Sequence, residues 1–466
     1  MQSSSGYDVI VVGAGVAGGA LINCLARDGR RLLCIERHLR NPDGSLTEPS
    51  RIVGELLQPG GCEKLQQLGL SEALTGIDAQ PIYGYAMFLD GRSEKISYTP
   101  PQQNLRVGHS FHNGRFLKRL RQIAAHNANV TLVEGNVLSL ENDAAGNVIG
   151  VSYRDAQKTL CRAYASLTIA CDGCSSSLRK RAAAQHQVSV YSNFHGLVLD
   201  MSHIPFPNHG HVVLANPSPV LFYPISSTEV RCLVDISSEY QGDVSEYMLE
   251  VVMPQIPQQF KQPFEKAVTA GKSRMMPNRV MPAPAGILPG ALLLGDSFNM
   301  RHPLTGGGMT VALSDVSIIR DLLRQVPHLS DVQTVTEKLR VFYSARKPMS
   351  TTINILANAL YTLFCAKTDP ALKDMRDACF EYLGQGGRMT HDPISMLGGI
   401  KPQRFLLVIH FFAVAFYGCG RALLPFPTPE RLTKAWGIFR ASFNVIKPLI
   451  DAENLRPLSW LPISSL

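Results

Sequence analysis

The sequence predicts an α/β protein: a Rossmann-like dinucleotide-binding domain, an inserted β-sheet substrate domain, and a C-terminal helical, membrane-associated region. Three stretches carry this expectation. Tyr7 to Glu36 reads as strand, glycine-rich turn, helix, strand and acid. Leu292 to Ala312 reads as an apolar strand, Gly295-Asp296, a polar turn, and a glycine triplet opening a helix. After Thr336 apolar residues recur at helical spacing, and Phe405 to Leu424 is almost wholly apolar.

The first stretch is the most specific. Val9 to Val12 is a β-branched run suited to a central parallel strand. Gly13-Ala14-Gly15-Val16-Ala17-Gly18 follows, Ala20 to Arg27 reads as a helix stopped at Asp28-Gly29, and Leu32 to Ile35 is a second strand ended by Glu36. In such a crossing Gly13 allows the tight turn, Gly15 admits a pyrophosphate to the backbone, and Gly18 packs helix on strand. Glu36 takes the ribose hydroxyls. An acid there favours FAD or NAD over NADP, whose 2′-phosphate it would repel.

Arg51 opens the stretch to Gly61, ahead of a short helix from Cys62 to Leu68. It is either a solvated loop charge or, beside a pyrophosphate, a phosphate or flavin ligand. Ile82 to Tyr98 alternates like a strand and includes Tyr85. Arg115 starts a helix, Phe116 to Ala125, where the dipole disfavours a cation unless an anion lies there. Val130 to Val137 and Val148 to Tyr153 read as strands of a small sheet. Ala165 to Ala170 is a further strand ended by Cys171-Asp172-Gly173, and Ser175 to Ala184 a basic helix.

Tyr191 to Ile236 is strand-rich and would floor a substrate site. Ser245 to Ala270 reads as two helices, and Ser273 to Pro289 returns the chain to the first domain. The expected division is 1–80, 105–188 and 274–335 for the nucleotide domain, 81–104 and 189–273 for the substrate domain, and 336–466 for the helical region.

In the second stretch, Gly306-Gly307-Gly308 would bring a ligand close to backbone N–H groups at the positive end of a helix. Asp296, on a strand end, suits the hydroxyls of a sugar-like chain. A ligand with a polyol at one end and an electron-rich ring edge at the other is a flavin. The plainer alternative is a strand–turn–helix with a mobile glycine loop.

At 466 residues the chain has room for two or three domains. Charged residues make up 18%, below the ~25% of ordinary soluble domains, against 45% hydrophobic, which leans towards lipid or a greasy substrate. A net charge of +8 without a basic block favours an anionic membrane surface over nucleic acid. Met1 to Tyr7 is short and polar and does not read as a secretory signal. Ten scattered cysteines suggest a reducing compartment. Cys171 and Cys174 form a C-x-x-C without a second pair, so no metal is expected.

Phe405 to Leu424 matches the ~20 residues of a membrane crossing, interrupted by His410 and Arg421. Arg431 to Ile450 mixes Trp436, Phe439 and Phe443 with basic residues, as in a helix lying in a lipid interface. The alternative for both is a buried C-terminal bundle.

Three separated flavin motifs, at Gly13, Asp172 and Asp296, resemble the aromatic-hydroxylase-type FAD monooxygenases. Within them, Arg51–Gly61, Ala215–Val220, Asn299–Met309 and His410–Ala415 resemble the squalene epoxidase (squalene monooxygenase) family over nearly the whole chain. The resemblance implies a Rossmann-like FAD-binding domain. It implies FAD contacts at Val16, Ala17, Glu36, Arg37, Arg51, Leu56, Arg115, Asp296 and Met309, with Val137 near the adenine. Asp172 and the Gly307-Gly308 amides complete the expected cofactor set, and Tyr85 and Gln58 resemble a pair at the substrate end of the flavin. Tyr85 reads equally as an orienting hydroxyl or as core packing.

The implied reaction is epoxidation of squalene to (S)-2,3-oxidosqualene with O2 through a flavin C4a-hydroperoxide, in sterol biosynthesis. The implied electron donor is an NADPH-dependent diflavin reductase, and the implied location the endoplasmic reticulum membrane, catalytic domain towards the cytoplasm. Many animal members carry an N-terminal membrane-associated segment absent from this sequence, so attachment is expected through the C-terminal helices. Two other readings stay open: an FAD hydroxylase of quinones or aromatics, and a non-catalytic prenyl-protein chaperone of the GDP-dissociation-inhibitor type.

Overall fold

The computed structural model describes residues 6–52, 54–100, 103–179, 188–283, 286–365, 369–453 and 455. Val53, and all but the start of the helix expected over Ser175 to Ala184, lie outside the described residues.

The strands are β1 (Tyr7–Val12), β2 (Leu32–Glu36), β3 (Leu56–Leu57), β4 (Gln80–Ile82), β5 (Gly84–Leu89), β6 (Arg92–Ser97), β7 (Gly108–Ser110) and β8 (Val130–Asn142). There follow β9 (Val148–Asp155), β10 (Leu160–Ala170), β11 (Ser189–Asp200), β12 (His209–Val213), β13 (Val220–Pro224), β14 (Glu229–Ser237), β15 (Arg274–Val280) and β16 (Ala291–Leu293). A parallel core runs β8-β2-β1-β10-β16. Its central strand β1 is apolar on both faces because both are covered. Val9 and Val11 pack with residues of the helices, such as Leu21 and Leu120, and Ile10 and Val12 with Val137, Val151, Ala163 and Phe298.

Strands β8 and β10 outrun this core, and β9 pairs antiparallel with the far half of each. The small sheet expected from the sequence is therefore an extension of the parallel one. At 13 and 11 residues, β8 and β10 are long enough to serve both pairings.

The second sheet runs β15-β11-β14-β13-β12-β5-β6, antiparallel except where β5 meets β12. The boundary expected at residue 274 is thereby corrected, because Arg274–Val280 hydrogen-bonds along β11. Pro277 is tolerated there since β15 is an edge strand, facing a register shift in β11. A third sheet, β3-β7-β4, links the two.

The helices are α1 (Val16–Arg27), α2 (Pro59–Gln67), α3 (Asn113–Ala125), α4 (Gln258–Thr269), α5 (Gly308–Arg324) and α6 (Val332–Ala345). The C-terminal set is α7 (Lys347–Phe364), α8 (Pro370–Gly384), α9 (Gly387–Leu397), α10 (Arg404–Leu423) and α11 (Pro429–Ala452). The boundary expected at residue 336 also shifts. Val335, Leu339 and Phe342 bury the apolar stripe of α6 in the core of the parallel sheet.

The outer face of the second sheet is closed by α4, with Phe222 stacked on Phe260 at 4.1 Å between ring centres. Its inner face, bearing Tyr85, Leu221 and Leu233, packs with Leu304 and with Leu363, Phe380 and Ile438 of the C-terminal helices.

Helix α10 is 20 residues long and apolar enough to cross a membrane by length and composition. It is one-sided: Leu407, Val408, Val414 and Ala415 are buried, whereas Phe405, Ile409 and Phe416 are exposed. The exposed face continues through Leu424 and Phe426 to Leu432 and Trp436 of α11.

Candidate active site

The carboxyl ends of β1, β2, β10 and β16 converge on a cavity of about 760 Å³, where open parallel sheets bind ligands. Gly13 follows β1 with φ of 95°. A Cβ there would lie 2.6 Å from the Cys171 carbonyl oxygen, so both conformation and contact require glycine. At Gly18 a Cβ would lie 1.9 Å from the Gly13 carbonyl oxygen, because α1 presses directly on the turn. Gly15 faces open space, and α1 starts on the cavity wall with its first-turn N–H groups lacking helical acceptors.

At the end of β2, Glu36 accepts from the Ala14 N–H at 2.7 Å and the His38 N–H at 3.2 Å. Arg121 lies 3.6 Å away. It donates to the carbonyl oxygens of Ala14 and His38, both at 3.1 Å, and to Thr47 Oγ1 at 2.9 Å. Burial lowers the Arg121 pKa and the Glu36 carboxylate opposes the fall. This buried cation on the wall is a residue that sequence reasoning missed. Its signal was present: Arg121 sits within the buried stripe Phe116, Leu117, Leu120 and Ala124 of α3, where a charge must have a partner.

Asp172, after β10, has its pKa raised by burial, against a hydrogen bond from Ser176 and the charge of Arg179. Its Oδ1 is buried with no hydrogen-bond partner among the described residues. Asp296 opens into the cavity although it lies deep below the outer surface. Crowding by protein raises its pKa, and Arg301, Arg51 and Arg179 pull it back down. Arg301 is a second wall residue that the sequence did not single out.

Beyond it, the pKa of buried His302 is pushed down to about 3 by desolvation. A neutral ring therefore faces Asp235, 4.0 Å away, and no ion pair forms. His302 Nδ1 accepts from the Leu304 N–H at 3.3 Å while the ring stacks on Tyr361 at 3.7 Å, which fixes the turn around Pro303.

The three glycines that follow have different reasons. Gly306 adopts φ of 62°. Gly307 has no room, since a Cβ would lie 2.5 Å from Ile353 Cγ2. Gly308 begins α5 facing open cavity, beside Met309. Only the last glycine offers an unobstructed approach to a helix start.

Where the cavity meets the second sheet, Gln58 spends its whole amide. Its Oε1 accepts from Tyr98 at 2.6 Å, and its Nε2 donates to the Tyr85 oxygen at 2.5 Å and to the Thr305 carbonyl oxygen at 2.7 Å. Burial raises the pKa of Tyr85, so its hydroxyl keeps its proton.

The structure thus brings Gly13, Gly15, Val16, Ala17, Glu36, Arg37, Arg51, Leu56, Tyr85, Val137, Asp172, Asp296, Gly308 and Met309 to one cavity. Gly18, Gln58, Arg115 and Gly307 are not on its wall. Arg115 is the outlier, since its charge acts on Glu229, the carboxylate bonded to His112 at 2.7 Å. Two helix starts suit electron-rich groups, and the carboxylate at the end of β2 and the partnerless oxygen of Asp172 suit hydroxyl donors, a combination that fits a dinucleotide.

Known proteins agree with this geometry. Residues 164–436 match the family described as squalene epoxidase. Squalene monooxygenase SE1 of Panax ginseng is 50% identical over 457 residues, covering 97% of this chain and 83% of its own. Squalene monooxygenase of Mus musculus is 41% identical over 456 residues, with 96% and 78% covered. In fold the chain is similar to PqsL, a probable FAD-dependent monooxygenase of Pseudomonas aeruginosa, at a TM-score of 0.62 and 19% identity, with 76% of this chain and 96% of that one covered. With a nucleotide-type cavity, and relatives at this identity aligned along almost its full length, the chain belongs to the squalene epoxidase family.

Proposed function

We propose that this protein binds FAD and epoxidises squalene to (S)-2,3-oxidosqualene with O2, as a step of sterol biosynthesis. In this reading electrons come from a separate NADPH-dependent diflavin reductase. The observation that carries it is the single cavity with two characters: polar between Gly13, Glu36 and Asp296, apolar where Leu56, Leu221, Leu233 and Leu304 line it.

The start of α1 and Gly15 would hold the pyrophosphate, Glu36 the adenine ribose, and Asp296 the ribityl chain. Arg37, Arg51, Leu56, Val137, Asp172 and Met309 would complete the grip, while the Gly308 amide would face the flavin's electron-rich edge. Reduced FAD, when bound, supplies with O2 the electrophilic oxygen that an unactivated alkene requires. The protein's part is position and dryness. Squalene makes no hydrogen bonds, so pocket shape must set its register, at ~1–3 kcal/mol per methylene-sized difference. Leu221, Leu233 and Leu304 keep water from the reacting end.

Tyr85 is the orienting hydroxyl. Gln58 donates to its oxygen and the Tyr98 hydroxyl bonds it as well, which holds the group in place on the cavity wall. Tyr85→Phe is expected to lower turnover about tenfold, the loss of one hydrogen bond, at normal flavin content. The assay supplies reductase, NADPH, O2 and detergent-dispersed squalene, with the product identified by mass. Peroxide alone from squalene, with efficient hydroxylation of a quinone, overturns the epoxidase reading.

The exposed apolar face of α10 and α11 supports membrane attachment, which we place, as the family resemblance implies, on the cytoplasmic surface of the endoplasmic reticulum. Burial in lipid contributes roughly 25 cal/mol per Å². Headgroup attraction is reduced where Arg421 pairs with Glu381 at 3.2 Å, Lys434 with Asp374 at 3.0 Å and Lys447 with Asp451 at 2.6 Å. A protein carrying Phe416→Glu, Phe426→Glu and Trp436→Glu should stay in the supernatant when wild type pellets with liposomes, at equal FAD content. Undiminished pelleting would place the contact surface elsewhere.

A further inference from the structure

A line of hydrogen bonds runs from the cavity wall to the far end of α11. Arg301 donates through Nη2 to the carbonyl oxygen of Asn299 at 3.0 Å and to its Oδ1 at 2.8 Å. The same Oδ1 accepts from Asn354 Nδ2, on α7, at 3.1 Å. The other hydrogen of that amide goes to Glu453 Oε1 at 2.7 Å. Glu453 caps α11, and its Oε2 accepts from Thr351 Oγ1 at 2.7 Å.

The direction of this line is fixed. Asn299 cannot turn its amide round, because its Nδ2 donates to the Met281 carbonyl oxygen at 2.9 Å. Asn299, Asn354 and Thr351 are all buried, and the line reaches water only at its half-buried end, Glu453.

Arg301 needs such support. It is a buried cation whose Nε has no hydrogen-bond partner among the described residues, and it lines the cavity. Three carboxylates act on it: Asp296, Asp315 and Glu453. Asp296 opens to the cavity, and Asp315 is already held by Arg346 at 2.8 Å. Glu453 is the remaining anion, and the two asparagines connect it to the guanidinium.

We propose that Glu453 is a positioning residue for the FAD site, setting through Asn354 and Asn299 where Arg301 presents its positive charge to the cofactor. The proposal rests on the flavin reading above. It makes FAD retention depend on the seat of α11, the helix that also carries Leu432 and Trp436 on the exposed apolar face.

The test uses the purified holoprotein and three variants. Glu453→Ala removes the line's end. Glu453→Gln keeps a carbonyl for Asn354 but removes the charge. Asp451→Ala, which loses only an exposed pair with Lys447, is the control. The readouts are the FAD dissociation constant, the visible flavin spectrum, the flavin midpoint potential and the unfolding temperature.

Glu453→Ala is expected to weaken FAD binding about tenfold or more, the loss of one charged hydrogen bond, and to alter the spectrum. Glu453→Gln should retain FAD with a more positive midpoint potential, since Arg301 then loses one of its three counter-charges. Asp451→Ala should match wild type. A lower unfolding temperature in Glu453→Ala with FAD affinity and spectrum unchanged overturns the proposal, as does an unshifted potential in Glu453→Gln. Wild-type protein that holds no FAD overturns the flavin reading itself.

Discussion

Glu55→Ala is expected to destabilise the protein by about 3–5 kcal/mol, the cost of leaving one partner of a buried ion pair alone. Glu55 and Arg231 are both buried, and the guanidinium bonds both carboxylate oxygens, through Nε at 2.7 Å and Nη2 at 2.8 Å. Tyr223 donates a third bond to the same carboxylate at 3.3 Å. Glu55 stands immediately before β3 and Arg231 is the third residue of β14, so the pair ties the segment Gly54–Gln58 to the second sheet. Removing the acid strands a cation among apolar strands. The double change Glu55→Leu with Arg231→Met should recover most of the loss, because neither charge is then left unpaired. Denaturant unfolding of the apoprotein measures both. A single variant as stable as wild type would show that water reaches Arg231.

Gly18→Ala is expected to abolish FAD retention. One methyl group would sit 1.9 Å from the Gly13 carbonyl oxygen and 3.2 Å from the Cys171 side chain. The nearer contact is with backbone, so no rotamer change relieves it. Either α1 lifts from the turn or the turn opens, and both move Gly13 and Gly15 from the pyrophosphate position. Overpacking costs typically ~1–3 kcal/mol, and here it falls on the groups that would bind the phosphates. The purified variant should be colourless, with no flavin absorbance and a lower unfolding temperature. A yellow Gly18→Ala protein with full flavin content would show that α1 can shift at little cost. Gly15→Ala, facing open space, is the milder comparison.

What the sequence made legible was local. The crossing from β1 through α1 to Glu36 is specified within 30 residues, Tyr7 to Glu36, by hydrophobic period and glycine spacing, and the structure reproduces it. Asp172 and Asp296 were legible for the same reason, each lying just past an apolar strand.

The misses are all tertiary. Gly307 is glycine because of Ile353 on α7, a neighbour no local pattern announces. Gln58 was placed beside Tyr85 by resemblance, but its bonds to Tyr98 and Thr305, which put it behind the wall, come from two other segments. Arg115 drew attention through its position at a helix start, whereas Arg121, six residues later, occupies the cavity wall. β15 was assigned to the first domain because chain order suggests a return there. Its partner β11 begins 85 residues earlier, at Ser189 against Arg274, and only the pairing reveals it.

The order of strands in the parallel sheet has a consequence for how the chain is made. Emerging from its N-terminus, it has β1, β2, β8 and β10 in hand by Ala170, yet the neighbour of β10 on the other side is β16, at Ala291–Leu293. Everything between builds β11 to β15 first. During synthesis the outer edge of β10 stands open through that interval, a strand edge available to wrong partners. Asp296 and the start of α5 arrive only after β16 docks, so a nascent chain shorter than this holds the Gly13 turn and Glu36 without the groups that would grip the other end of the cofactor. A nucleotide that binds both halves would then stabilise only the finished sheet.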